Sequence, residues 1–217
     1  MRKVKTIIMV FMVLVGYNLI GQTFGVKGGF NLSNMMNKDN DFKYSEEYKA
    51  KPGFNVGVTL DMPITDPIVF QTGIILDTKG YKRNYTDNNI KYEINLSPYY
   101  IDIPLHIKYT LELNNIKPYL SAGPYLGVGV SGKVTQKTII AGISSTDSEA
   151  INWGNDDNAN LKQFDGGIDF GAGLEFGNIY VGAEYSLGLA NICVQPDNGQ
   201  KINNRLLSIS IGYRFVK

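Results

Sequence analysis

His106 is the single histidine in a chain of 217 residues, so any chemistry that needs an imidazole must use it. Asp102 and Lys108 fall at even spacings from it, which in a strand puts all three on one face. A histidine between a carboxylate and an ammonium could serve as a general base. A hydrogen-bonded interior histidine is the simpler reading and is the one adopted. Gly127-Val128-Gly129-Val130-Ser131-Gly132 has the spacing of a dinucleotide-binding loop. That loop needs a strand before it and a helix opening at it, whereas these glycines alternate within one strand and make room on its inner face. The stretch 133–163 carries Asp147, Glu149, Asp156 and Asp157 with several asparagines and Trp153. These oxygens could hold calcium. The spacing matches no known calcium loop, and a solvated loop is expected. Asp102, Glu184 and Arg214 could line a pore or fill it with paired charge. Cys193 is unpaired and is read as a bystander at a rim or in a loop, though an exported lone thiol could pair between chains.

Composition bounds these options. Lys plus Arg number 21 against 20 Asp plus Glu, a net charge of +1, so the overall field gives no reason to expect nucleic acid as a partner. One Cys and one His exclude both an internal disulfide and a Cys/His zinc cluster. At 43% hydrophobic residues the chain can form one ordinary domain. Its 24 glycines and 14 tyrosines suit close-packed strands and interfacial rings.

Residues 1–21 read as a signal peptide: Arg2, Lys3 and Lys5 precede an apolar run from Ile7 to Val15, and small residues follow up to Gly21. The run is well short of the roughly 20 residues that a membrane-spanning helix needs. The mature part, 22–217, then carries 18 basic against 20 acidic residues.

Period-two alternation runs through that mature part. In the last run Leu207, Ile209, Ile211, Tyr213 and Phe215 oppose Ser208, Ser210, Gly212 and Arg214. In the first, Phe24, Val26, Phe30 and Leu32 oppose Lys27, Asn31 and Ser33. Eight such runs are counted, near 23–33, 53–62, 68–78, 99–111, 118–132, 168–176, 179–189 and 206–215. Gly177-Asn178 reads as a tight hairpin turn, and Pro104 and Pro124 predict a bulge or break. Links of roughly 19, 20, 31 and 15 residues alternate with short turns. Long loops at one end and turns at the other is the plan of an outer-membrane barrel.

The polar face holds Lys27, Asp61, Lys79, Asp102, His106, Lys108, Asp169, Glu175, Glu184 and Arg214, while the opposite face is aliphatic and aromatic. A lipocalin-like barrel would put the apolar face inside; a small membrane barrel puts it outside. The expectation is therefore all-β: an eight-stranded, up-and-down, antiparallel transmembrane β-barrel of the smallest size class, its interior filled by a polar network.

Several stretches resemble the PorT-like family of outer-membrane β-barrel proteins from Bacteroidetes-type bacteria. They are the run from Phe24 to Asn34, Tyr100-Ile101-Asp102-Ile103-Pro104-Leu105, Lys117 to Pro124, Gly171 to Glu175, and Gly212-Tyr213-Arg214-Phe215. The resemblance implies that both prolines belong to the fold, and that Tyr213 and Phe215 form the C-terminal signal read by barrel-insertion machinery, although Val216 and Lys217 follow. It further implies an outer-membrane address, contact with lipid and lipopolysaccharide, and a link to secretion machinery or surface proteins. No catalytic set and no cofactor transfers with it. The expected role is structural, adhesive or accessory, through long extracellular loops. A small channel is the alternative, and a lipid-modifying enzyme, which would want an outward His or Ser, is the second.

Overall fold

The computed structural model describes residues 21–113 and 115–215. The expected signal peptide lies outside them except for Gly21. Among the described residues eleven strands form: β1 (Thr23–Lys38), β2 (Tyr48–Lys49), β3 (Lys51–Thr65), β4 (Ile68–Thr78), β5 (Tyr81–Asp87), β6 (Ile90–Thr110), β7 (Lys117–Ile140), β8 (Ile143–Ala150), β9 (Phe164–Phe176), β10 (Ile179–Gly188) and β11 (Lys201–Phe215).

Eight of them close a ring. Antiparallel pairing runs β1–β3–β4–β6–β7–β9–β10–β11 and returns to β1 along a seam from Phe24↔Phe215 to Lys38↔Lys201. Closure removes the raw strand edges that lipid cannot hydrogen-bond. The other three, β2, β5 and β8, lie outside the ring at the long-loop end. There β5 pairs with residues 90–96 of β6, and β8 pairs with residues 133–140 of β7.

The barrel is apolar outside and polar inside. Leu120 is 65% exposed and Ile209 55%, while Lys108 is 2% exposed and His106 1%. A water-soluble protein could not leave so continuous an apolar belt uncovered.

The prolines act more gently than the sequence predicts. Pairing between β4 and β6 lapses opposite Ile103 and Pro104, and pairing between β6 and β7 lapses opposite Leu105 and His106, beside Pro124. The register is the same on both sides of each gap. A missing N–H deletes ladder bonds without adding a residue. The real bulge lies elsewhere: Tyr99 pairs with Ser131 but Tyr100 with Gly129, so Val130 is extra. Val130 and Ser131 both face outward, and the inward face of β7 changes from odd to even residues beyond them.

That inversion matters at the long-loop end. It turns Val134 inward, where it packs with Trp153, Tyr48, Tyr81 and Ile202 around the buried Met35, Leu96, Ile151, Leu161 and Ile192. This small apolar core sits across the barrel mouth. Two stretches expected as polar loops, 79–98 and 133–163, are thus corrected: β6 starts at Ile90, β7 runs on to Ile140, and β5 and β8 complete two hairpins. At the opposite end Ile179 pairs with Phe176 across a two-residue turn, with Gly177 at φ +58°.

Candidate functional site

The ring aims side chains from eight strands into one narrow lumen, where they pack in three tiers. An eight-stranded barrel is just wide enough to be filled this way.

The tier nearest the short turns joins β3, β4, β6, β9 and β11. Lys108 Nζ lies 2.6 Å from Asp61 Oδ2 and 3.3 Å from Glu175 Oε1. Arg214 donates from Nη1 to Glu175 Oε2 at 2.8 Å and also pairs through Nη2 with Oε1. Gln71 Nε2 donates to the second Asp61 oxygen at 2.6 Å. Below this tier a vestibule of about 400 Å³ opens at the short-turn mouth, and it ends on Glu175 and Arg214.

The middle tier holds His106, Asp169, Glu184 and Lys27. His106 Nε2 lies 2.8 Å from Asp169 Oδ2, and Lys27 Nζ lies 3.6 Å from Glu184 Oε1.

The upper tier is built on Lys79, which lies just past the end of β4. Its Nζ is 2.8 Å from Asp102 Oδ2 and 2.9 Å from Asp165 Oδ2, and it stands 4.7 and 4.6 Å from the ring centres of Tyr100 and Tyr125. Asp165 also accepts from Tyr125 Oη at 3.1 Å and from Asn204 Nδ2 at 2.9 Å. Beside it, Asn31 donates to Asp77 at 2.8 Å and accepts from Asn55 at 2.7 Å. Trp153 meets Tyr100 edge-on at 5.3 Å and joins this tier to the apolar cap.

These tiers bring together Lys27, Asp61, Lys79, Asp102, His106, Lys108, Asp169, Glu175, Glu184 and Arg214, the residues of the predicted polar face. The structure adds Asp77 and Asp165, with Asn31, Asn55, Asn204, Tyr100 and Tyr125. Among the described residues, the four cations Lys27, Lys79, Lys108 and Arg214 meet seven carboxylates in these tiers, those of Asp61, Asp77, Asp102, Asp165, Asp169, Glu175 and Glu184, and a fifth buried cation, Lys51, lies on the inward face of β3 at its long-loop end. Tyr213 and Phe215 face outward at the end of β11, with ring centres 5.3 Å apart.

Outside the lumen, Asp147 and Glu149 lie on β8 and Asp157 accepts from Gln195; the acidic residues of 133–163 converge on no common point. Cys193 is buried, its Sγ 3.3 Å from Gln200 Oε1, and burial pushes the thiol above its usual range. Asp39 holds the turn after β1. It accepts from the Phe42 N–H at 2.7 Å, the Tyr44 hydroxyl at 2.7 Å and the Asp41 N–H at 2.8 Å, bonds that keep its carboxyl below the ordinary range.

Residues 20–194 match the family model described as outer membrane protein beta-barrel domain. A search among curated proteins finds no match. Among solved structures, the attachment invasion locus protein Ail of Yersinia pestis shares 16% identity, with 89% of this chain and 98% of that one covered and a TM-score of 0.37. Neisserial surface protein A shares 16%, with 90% and 99% covered and a TM-score of 0.40. The outer membrane protein OprG of Pseudomonas aeruginosa shares 12%, with 90% and 96% covered and a TM-score of 0.46.

Proposed function

Since the chain belongs to the outer membrane protein beta-barrel domain family and crosses the outer membrane on its strands, we propose that it works as a closed barrel whose activity resides at its extracellular end. In such proteins the short turns face the periplasm and the long connections face outward. The observation that carries this reading is the filled lumen, blocked by three tiers of side chains and then by an apolar cap. So packed an interior supports the β5–β6 and β7–β8 hairpins and the cap between them as the working surface.

The role is adhesive or accessory within the envelope. Support for secretion among the accessory roles comes from the stretches that resemble PorT-like proteins. The inward His106 supports a non-enzymatic reading. Residues 1–21 supply the export signal in this scheme, Tyr213 and Phe215 the mark for the barrel-assembly machinery, and lipopolysaccharide surrounds the outer half of the belt.

The test shortens both hairpins without disturbing the barrel. Asn84 pairs with Glu93, and Gln136 with Asp147, so joining each pair through a two-residue turn keeps the register. The trimmed protein, checked for insertion by protease resistance, is compared with a gene deletion by mass spectrometry of the secreted and surface proteomes. The trimmed strain should reproduce the deletion. Full complementation by the trimmed barrel would rule out an extracellular working surface.

A further inference from the structure

His106 projects from β6 with a different carboxylate at each ring nitrogen. Nε2 lies 2.8 Å from Asp169 Oδ2 on β9, and Nδ1 lies 3.7 Å from Glu184 Oε2 on β10. When Asp169 accepts the Nε2–H, the neutral ring keeps a bare lone pair on Nδ1. That nitrogen has no hydrogen-bond partner, and neither has Asp169 Oδ1, although both side chains are more than nine-tenths buried. His106 Nδ1 and Glu184 Oε2 thus face each other inside a low-dielectric lumen, an arrangement that favours a cation between them.

We infer that His106 Nδ1 and Glu184 Oε2 bind a zinc-type divalent cation, with Asp169 as the positioning carboxylate. Two tetrahedral ligands at about 2.0–2.1 Å from zinc stand about 3.4 Å apart, near the observed Nδ1 to Oε2 span. One ligand atom from each of the three residues falls within a common 4.8 Å. An imidazole that ligates with one nitrogen and donates from the other to a carboxylate is the usual way of fixing a metal-bound histidine. Lys27 occupies the other oxygen of Glu184 and leaves Oε2 free.

The space is also present. A Cβ on Gly171 would collide with Ser121 Oγ and stand 3.8 Å from Glu184 Oε2. An adjoining cavity of about 20 Å³, lined by Lys27, Ser121, Gly171 and Glu184, has room for one water as a third ligand. Imidazole with carboxylate suits zinc, and the excess of lumenal carboxylates over cations would be reduced by a dication.

The single histidine makes the test direct. Protein labelled with ¹⁵N-histidine and carrying no histidine tag is refolded into detergent micelles with and without zinc, so that access through the closed lumen does not limit loading. About one zinc per chain should survive gel filtration, and the Nδ1 resonance should move while Nε2 stays protonated. Glu184→Gln should abolish retention, and Asp169→Asn should weaken it by about 10- to 100-fold. Ring resonances indifferent to zinc, or both nitrogens protonated at neutral pH in its presence, would mean that a proton fills the gap and would overturn the inference. Because the ring spectrum uses the unaltered protein, it decides the matter even where a variant does not fold.

Discussion

Lys79 stands between Asp102 and Asp165 with almost no solvent access, so its ammonium is what makes two buried carboxylates tolerable. Lys79→Met should cost about 3–5 kcal/mol, because removing one partner leaves unpaired charge. Urea unfolding in lipid vesicles measures this. Adding Asp165→Asn to that variant should recover part of the loss, whereas equal damage in the double variant would assign the defect to packing. Cys193 makes a second prediction at this scale. A buried thiol with a raised pKa carries less thiolate than a free one. Ellman's reagent should therefore label the folded protein much more slowly than the unfolded one, and non-reducing gels should show no disulfide-linked dimer. Most of the lumen was legible from alternation, since Asp102, His106 and Lys108 share a parity that the strand enforces. The clear alternation starts only at Ile168 and so misses Asp165, although the same parity continues upstream through Asp169, Gly167 and Asp165. Lys79 reveals its place but not its partners. Which carboxylates it meets depends on how the ring closes, and that information is absent from any one strand.

At the level of the elements, the bulge at Val130 and the cap depend on each other. Trp153 lies where a Gly129 side chain would go, so Gly129→Val should displace the indole and cost about 1–3 kcal/mol. Trp153 is the only tryptophan, and its emission should shift to the red. An unshifted spectrum would show that the cap accommodates the extra atoms. The turn after β1 responds to acid instead. Asp39 accepts its three bonds as a carboxylate, so its folded pKa is depressed. The stabilisation is complete above the unfolded value of about 3.9 and disappears as pH falls through the lower folded value. The amide resonances of Asp41 and Phe42 should hold steady down to that range and then move, while Asp39→Asn should show no such step. The β5–β6 and β7–β8 hairpins escaped the sequence reading for a physical reason. Above the membrane neither face of these ribbons is wholly buried, so polar residues occupy both and the alternation fades even though the backbone pairing persists.

For the molecule as a whole, three charged tiers and an apolar lid in series mean that no single lesion opens the lumen. Planar-bilayer recordings of the intact protein should show no porin-like steps, and Lys79→Met should not produce them, since the lower tiers and the cap remain. Sustained large conductance in the intact protein would contradict the packed interior. The seam between β1 and β11 carries a consequence for how the barrel comes into being. Strand β1 pairs from Phe24 to Lys38 with β11, the ring strand farthest from it in chain order. Without β11, neither β1 nor β10 has its second neighbour and the ring stays open. Until β11 arrives, two open borders of unpaired N–H and C=O groups remain, which hydrocarbon penalises by several kcal/mol per group. Assembly must therefore wait for the whole chain. A truncation that removes only the last strand should yield not a smaller barrel but a polypeptide that never enters the bilayer and is left to periplasmic proteolysis.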